Sequence, residues 1–228
     1  MIAQGLFDAA LKEIDALIES GETTTKHKVR VDLLRASALM GSGRFDLALS
    51  VLERAIPLLS KYKLWEALGD AVVSRSACYA AMGNALDAEA DVFASISAYT
   101  SAGSDALVSR SRLQLATLLA ARGDWVGVSV EAGLVVDNVL QMFSPWYPEG
   151  LALSALAKAQ LGDSASALEL CSQLFGISEL SSAVAARGYH AKALALGGVK
   201  GRNLAAKAMK GYLAAGLVDE ATAASELI

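Results

Sequence analysis

Proline is scarce in this chain of 228 residues, occurring only as Pro57, Pro145 and Pro148. Each proline removes a backbone donor and crowds the preceding turn, so its rarity leaves long stretches free to be helical. Aromatic residues make up 6% while hydrophobic residues reach 54%. The apolar content is therefore mainly alanine, leucine and valine, the first two being strong helix formers. The two cysteines, Cys78 and Cys171, are far apart and lack CxxC spacing. They read as reduced core residues of a cytoplasmic protein. The two histidines, His27 and His190, stand alone, with no cysteine or histidine at ligand spacing. Lys192 near His190 disfavours a metal cation further, and both histidines read as ordinary surface or partly buried residues.

The sequence also lacks the motifs that carry common chemistries. It has no GxSxG elbow, no P-loop and no HExxH. Gly197-Gly198-Val199-Lys200-Gly201 resembles a phosphate loop loosely, but no strand pattern precedes it. Asp87, Glu89 and Asp91 cluster on a helical stretch and read as a solvated face. No catalytic, cofactor-binding or metal-binding residue is assigned, and the expectation is a protein that is not an enzyme. The formal net charge of −4 comes without a basic stripe. The densest basic stretch, Lys200, Arg202, Lys207 and Lys210, reads as a solvated helix face, so direct nucleic-acid binding is not expected. Mean hydropathy is +0.40. Even so, no window of about 18 uncharged apolar residues exists, so no membrane span is expected. Asp8 and Lys12 lie in the first helical pattern, which does not read as a secretory signal.

What the chain does contain is a repeat. Gly5, Gly43, Gly83, Gly123 and Gly162 recur roughly every 40 residues. Each stands where one helical pattern ends and the next begins, a place for the left-handed backbone of a helix C-terminus. Five positions after each glycine come Ala10, Ala48, Ala88, Val128 and Ala167, and nine after come Ile14, Leu52, Val92, Ala132 and Cys171. Seven before lie Ala36, Ser76, Ala116 and Ala155, and ten before lie Leu33, Val73, Leu113 and Ala152. Offsets of three and four build one apolar stripe per helix. The small residues mark where two helices cross closely. The pattern predicts helices over 6–19, 26–42, 45–60, 64–82, 85–101, 104–122, 125–141, 147–161, 164–175, 179–196, 201–215 and 217–227. A single helix pair cannot bury its stripe, so stacking on neighbours must complete the core.

The stretch from Leu33 through Gly43-Arg44-Phe45-Asp46-Leu47-Ala48 to Leu52 and Ala55 resembles a tetratricopeptide (TPR) unit. The usual TPR period is about 34 residues. The longer period resembles, more loosely, the repeat domains of bacterial regulators related to the maltotriose-responsive activator. The resemblance implies an all-α fold, an α-α superhelix forming a right-handed TPR-like solenoid of antiparallel helix pairs. It is expected as a single domain over residues 1–228. The chain opens at the turn glycine Gly5, which reads as a degenerate N-terminal cap or a piece of a longer protein. After Gly176 the register is ambiguous, with turns conceivable at Gly197-Gly198 and at Gly216.

In TPR arrays the first helix of each pair lines a groove, and the resemblance implies the same here. On this register the groove row holds Leu33, Val73, Leu113 and Ala152, then Ser37, Ala77, Thr117 and Leu156, then Met40, Ala80, Ala120 and Ala159. It is apolar and small-sided, suited to an amphipathic helix or an extended apolar segment, or else it only packs helix on helix. The lysine and asparagine clamp by which some TPR proteins hold acidic tails is absent at these positions. Thirteen before each glycine lie Arg30, Asp70, Arg110 and Glu149, alternating in sign. They form either a polar rim that orients a partner or a ladder of surface ion pairs. Arg35, Arg75, Arg110 and Arg112 are a weaker candidate for an anion-binding row. Met142-Phe143-Ser144-Pro145-Trp146-Tyr147-Pro148 breaks the alanine-rich texture. Trp146 and Tyr147 are residue types that anchor interfaces, or they plug an irregular junction. The function expected is a protein-interaction scaffold for a peptide or helix, with self-association possible. The alternative is a ligand- or protein-sensing domain of a larger bacterial transcriptional regulator. No cofactor is expected.

Overall fold

The computed structural model describes residues 2–19, 25–138 and 144–228. Twelve helices appear among them: α1 (Ile2–Glu19), α2 (Thr25–Gly41), α3 (Phe45–Lys61), α4 (Trp65–Ala81), α5 (Ala85–Ala102), α6 (Asp105–Ala121), α7 (Trp125–Val136), α8 (Tyr147–Gln160), α9 (Ser164–Leu174), α10 (Ser182–Leu196), α11 (Gly198–Ala214) and α12 (Val218–Ser225). No strand occurs among the described residues. The architecture is an all-α helical repeat. Helix α1 begins before Gly5, so that glycine lies inside a helix and not in a turn.

The turns follow from backbone geometry. Gly43, Gly83, Gly123 and Gly162 have φ of 75°, 81°, 79° and 82°. At Gly43 the amide donates to the Met40 carbonyl and the next amide, Arg44, donates to the Leu39 carbonyl, both at 2.9 Å. This paired bond satisfies the last carbonyls of α2, and it requires a left-handed residue at the turn. The same pair of bonds recurs around Gly83, Gly123, Gly162 and Gly216. At the α3–α4 junction Lys63 takes that conformation instead, with φ of 52°. Where aspartate follows the glycine it caps the next helix: Asp124 accepts from the Gly127 amide at 3.0 Å and Asp163 from the Ser166 amide at 3.2 Å.

The chain divides into two compact units, residues 1–111 and 112–228. In the first, the two rows of small residues meet. Ala36 and Ala48 are fully buried in one core with Leu52, Ala55 and Leu59. In the next pair the buried Ser76 hydroxyl donates to the Ala88 carbonyl at 2.8 Å, a contact that a larger side chain at either position would prevent. Besides these helix-to-partner contacts, α2 touches α4, so the first helix of one pair packs on the first helix of the next. The second unit follows the same plan. Ala155 and Ala167 are fully buried, and α8 packs on α7, α9 and α10. Cys78 and Cys171 are both free and buried.

Candidate functional site

The second unit holds a cleft of about 330 Å³. Thr117, Ala120 and Ala121 of α6 line it, with Trp125 at the head of α7 and Leu153, Leu156 and Gln160 of α8. Arg187 and His190 of α10, Tyr212 of α11, and Asp219, Glu220 and Ala223 of α12 complete it. The helices α6, α8 and α10, each first in its pair, supply most of the lining. Alanines at the α6 edge keep the space open, because their side chains end at Cβ.

The polar side of the cleft is organised by Arg187, which is only 8% exposed. Its guanidinium donates to the Glu149 carboxylate, and a second nitrogen stands 4.0 Å from Glu220. Beside it His190 is buried, with Nδ1 3.3 Å from the Tyr212 hydroxyl and the two rings edge to face. Burial lowers the His190 pKa to about 4, so the ring is neutral at pH 7. Burial likewise pushes the Tyr212 phenol up, so it keeps its proton. Asp219 makes no ion pair among the described residues and is exposed. One guanidinium therefore faces two carboxylates, Glu149 and Glu220, and with Asp219 also on the lining the cleft carries a negative excess.

Several residues here escaped the sequence reading. His190 is 5% exposed and lines the cleft, deeper than a surface or partly buried histidine. Arg187 continues the alternating row of Arg30, Asp70, Arg110 and Glu149 one repeat further, and Glu220 follows it. That periodic sign change was the available signal. It was lost because the glycine register stops near Gly176. Part of the row forms ion pairs: Asp70 lies 3.6 Å from Arg110, and Glu149 bonds Arg187. Tyr99 ties the first of these, its hydroxyl donating to Asp70 at 2.6 Å and accepting from Arg110 at 3.0 Å.

Of the residues singled out from sequence, Thr117, Ala120 and Leu156 line the cleft, the Thr117 hydroxyl donating to the Leu113 carbonyl at 2.9 Å. Leu113 itself is buried at 4% exposure and faces packed interior. Trp146 and Tyr147 lie half-buried at the head of α8, where Tyr147 packs against the core cluster of Leu151, Ala152, Leu174 and Val184; neither lines the cleft. Met142 and Phe143 fall outside the described residues. In the first unit Arg30 and Ser37 are exposed on α2, while Leu33 and Met40 pack half-buried against the core; Val73 is half-buried on α4. Three of the four arginines of the candidate anion row are paired with carboxylates instead. Arg75 bonds Asp91 through two nitrogens at 2.6 and 2.7 Å, Arg112 bonds Glu131 at 2.7 Å, and Arg110 pairs with Asp70. Asp91 is correspondingly buried, not part of a solvated face. The side chain of His27 is outside the described residues. No helix among the described residues is long and apolar enough to cross a membrane.

No family model matches the chain, and neither does any curated protein. Solved structures do match. Apo RapI superposes with a TM-score of 0.74 at 10% identity, over 94% of this chain and 86% of that one. BtubC from P. vanneervenii gives 0.63 at 12% identity, over 98% and 87%. The TPR-like repeats of a Podosopora anserina putative kinesin light chain give 0.56 at 16% identity, over 90% and 94%. The fold is tetratricopeptide-like. At these identities the likeness concerns fold alone, and what a TPR-like chain of this sequence binds has to come from its own side chains.

Proposed function

We propose that this TPR-like chain is a protein-interaction module, and that the cleft of residues 112–228 takes up a peptide segment of a partner without doing chemistry on it. The observation that carries this reading is a ligand-sized cavity lined mostly by the first helices of the pairs, mainly apolar from α6 to α8 and with Arg187, His190 and Tyr212 held by hydrogen bonds on its polar side. Its volume accommodates one or two side chains, which suits an extended segment better than the whole face of a helix. A catalytic reading has less support. The imidazole of His190 bonds a tyrosine hydroxyl and not a serine, cysteine or carboxylate, and no group of His, Cys, Asp and Glu among the described residues is placed to hold a metal.

The test is selection from a random octapeptide display library on the full chain, followed by binding measurements with two plugged variants. Thr117→Trp and Ala120→Trp each place an indole in the cleft from the α6 edge. Both are checked for retained helicity by circular dichroism. Selected peptides are expected to lose at least tenfold in affinity for either variant. Peptides that bind wild type and both folded variants alike, or a library that yields no binder, would overturn the proposal.

A further inference from the structure

The charge inside the cleft is not balanced, and the imbalance has a direction. Arg187 is the sole cation among the lining residues, and Glu149 already occupies it. Glu220 approaches the same guanidinium only to 4.0 Å, with its side chain 37% exposed. Asp219, the residue before it, makes no ion pair among the described residues. His190 adds no positive charge at neutral pH. Two carboxylates at the start of α12 therefore lack full compensation. They share one cavity with the apolar surface of Trp125, Leu153 and Leu156.

The position of these acids has a purely local explanation as well. Carboxylates in the first turn of a helix interact favourably with its dipole. That role needs only the helix, and it predicts a loss of stability on neutralisation with no change in binding. The cavity supplies what the local role does not: an apolar wall on the same lining as the two acids, so that one bound segment can meet both.

We propose that the segment taken up by this cleft carries a lysine or arginine next to a large apolar side chain, the base meeting Asp219 and Glu220 and the apolar group meeting Trp125, Leu153 and Leu156. This inference rests on the reading of the cleft as a peptide site and specifies its ligand chemistry. An acidic segment is disfavoured, because its carboxylates would face Asp219 and Glu220 while Arg187 is already occupied.

The octapeptides selected on wild type are the probes, synthesised with and without replacement of each basic residue by glutamine. Their affinities are measured against wild type, the Asp219→Asn/Glu220→Gln double variant, and the Thr117→Trp and Ala120→Trp plugs. The expected result has four parts. Selected sequences place Lys or Arg beside a large apolar residue. Replacing that base and neutralising the two acids each weaken binding about tenfold. The two losses do not add when combined. The charge-dependent part shrinks as salt is raised. Peptides that lose binding on plugging but carry no base, or that ignore the acid-neutralised variant, would overturn the inference while leaving the cleft a peptide site. An acid-neutralised variant that melts lower yet binds unchanged also overturns it and assigns the acids to α12 alone. Peptides indifferent to the plugs overturn the peptide-site reading itself.

Discussion

Acid should weaken the second unit through His190 before ordinary carboxylates protonate. The ring is buried against Tyr212, and burial holds its pKa at about 4 in place of the ordinary 6.5. Folding thus favours the neutral ring. Stability from this group is full above about 6.5 and falls as pH drops towards 4, because the unfolded chain takes up the proton first. Between pH 7.5 and 5.0 these two values give a loss of about 2 kcal/mol. Carboxylates at their ordinary values of about 4 contribute little over that interval. The assay is urea unfolding followed by circular dichroism at pH 7.5, 6.5, 5.5 and 5.0, on wild type and on His190→Gln. Glutamine keeps a hydrogen-bonding group near the Tyr212 hydroxyl but does not titrate. Wild type should lose about 2 kcal/mol more than the variant across the series. Parallel pH curves for the two proteins would refute the argument, showing that the imidazole is hydrated or protonated in the folded state.

Three further outcomes follow from packing. Lys63→Gly should stabilise by about 0.5–1 kcal/mol, since glycine takes φ of 52° without the steric cost a lysine bears there, less its own greater chain entropy; a lower urea midpoint would contradict this. Arg75→Met strands the buried Asp91 carboxylate and should cost about 3 kcal/mol, whereas adding Asp91→Asn should recover part of that loss; simple additivity of the two changes in unfolding free energy would argue against a coupled pair. Gly69→Ala would place a Cβ 2.4 Å from Cε1 of Tyr99, an overlap that should cost about 1–3 kcal/mol; an unchanged melting temperature would show that the ring has room to move.

The repeat was legible because its signals are local. A left-handed glycine, a small residue seven before it and another five after it all sit within one helix–turn–helix, so spacing along the chain maps directly onto contacts. Gly83, Ser76 and Ala88 show this: one closes the turn, and the other two meet at the crossing through a hydrogen bond of 2.8 Å. The helices over 179–196, 201–215 and 217–227 were also expected close to where α10, α11 and α12 lie. The turn at Lys63 carried no such mark, since a lysine in the left-handed region cannot be told from any other lysine in sequence. The second unit's cleft was largely illegible for a different reason. Its lining comes from helices between Thr117 and Ala223, and after Gly176 no single glycine register aligned the last of them.

Sequence alone determined an all-α chain whose helix pairs recur about every 40 residues as far as Gly162, because helix propensity, turn glycines and apolar stripes act over a few residues each. Tertiary structure alone decided which polar groups lost water. His190, Arg187 and Asp91 look in sequence like any surface residue, and each is buried because neighbouring helices pack against it and supply its partners. Desolvation depends on all neighbours at once, so the pKa of the imidazole, the sign of the charge left in the cleft and the pairing of each arginine emerge only when the helices are stacked.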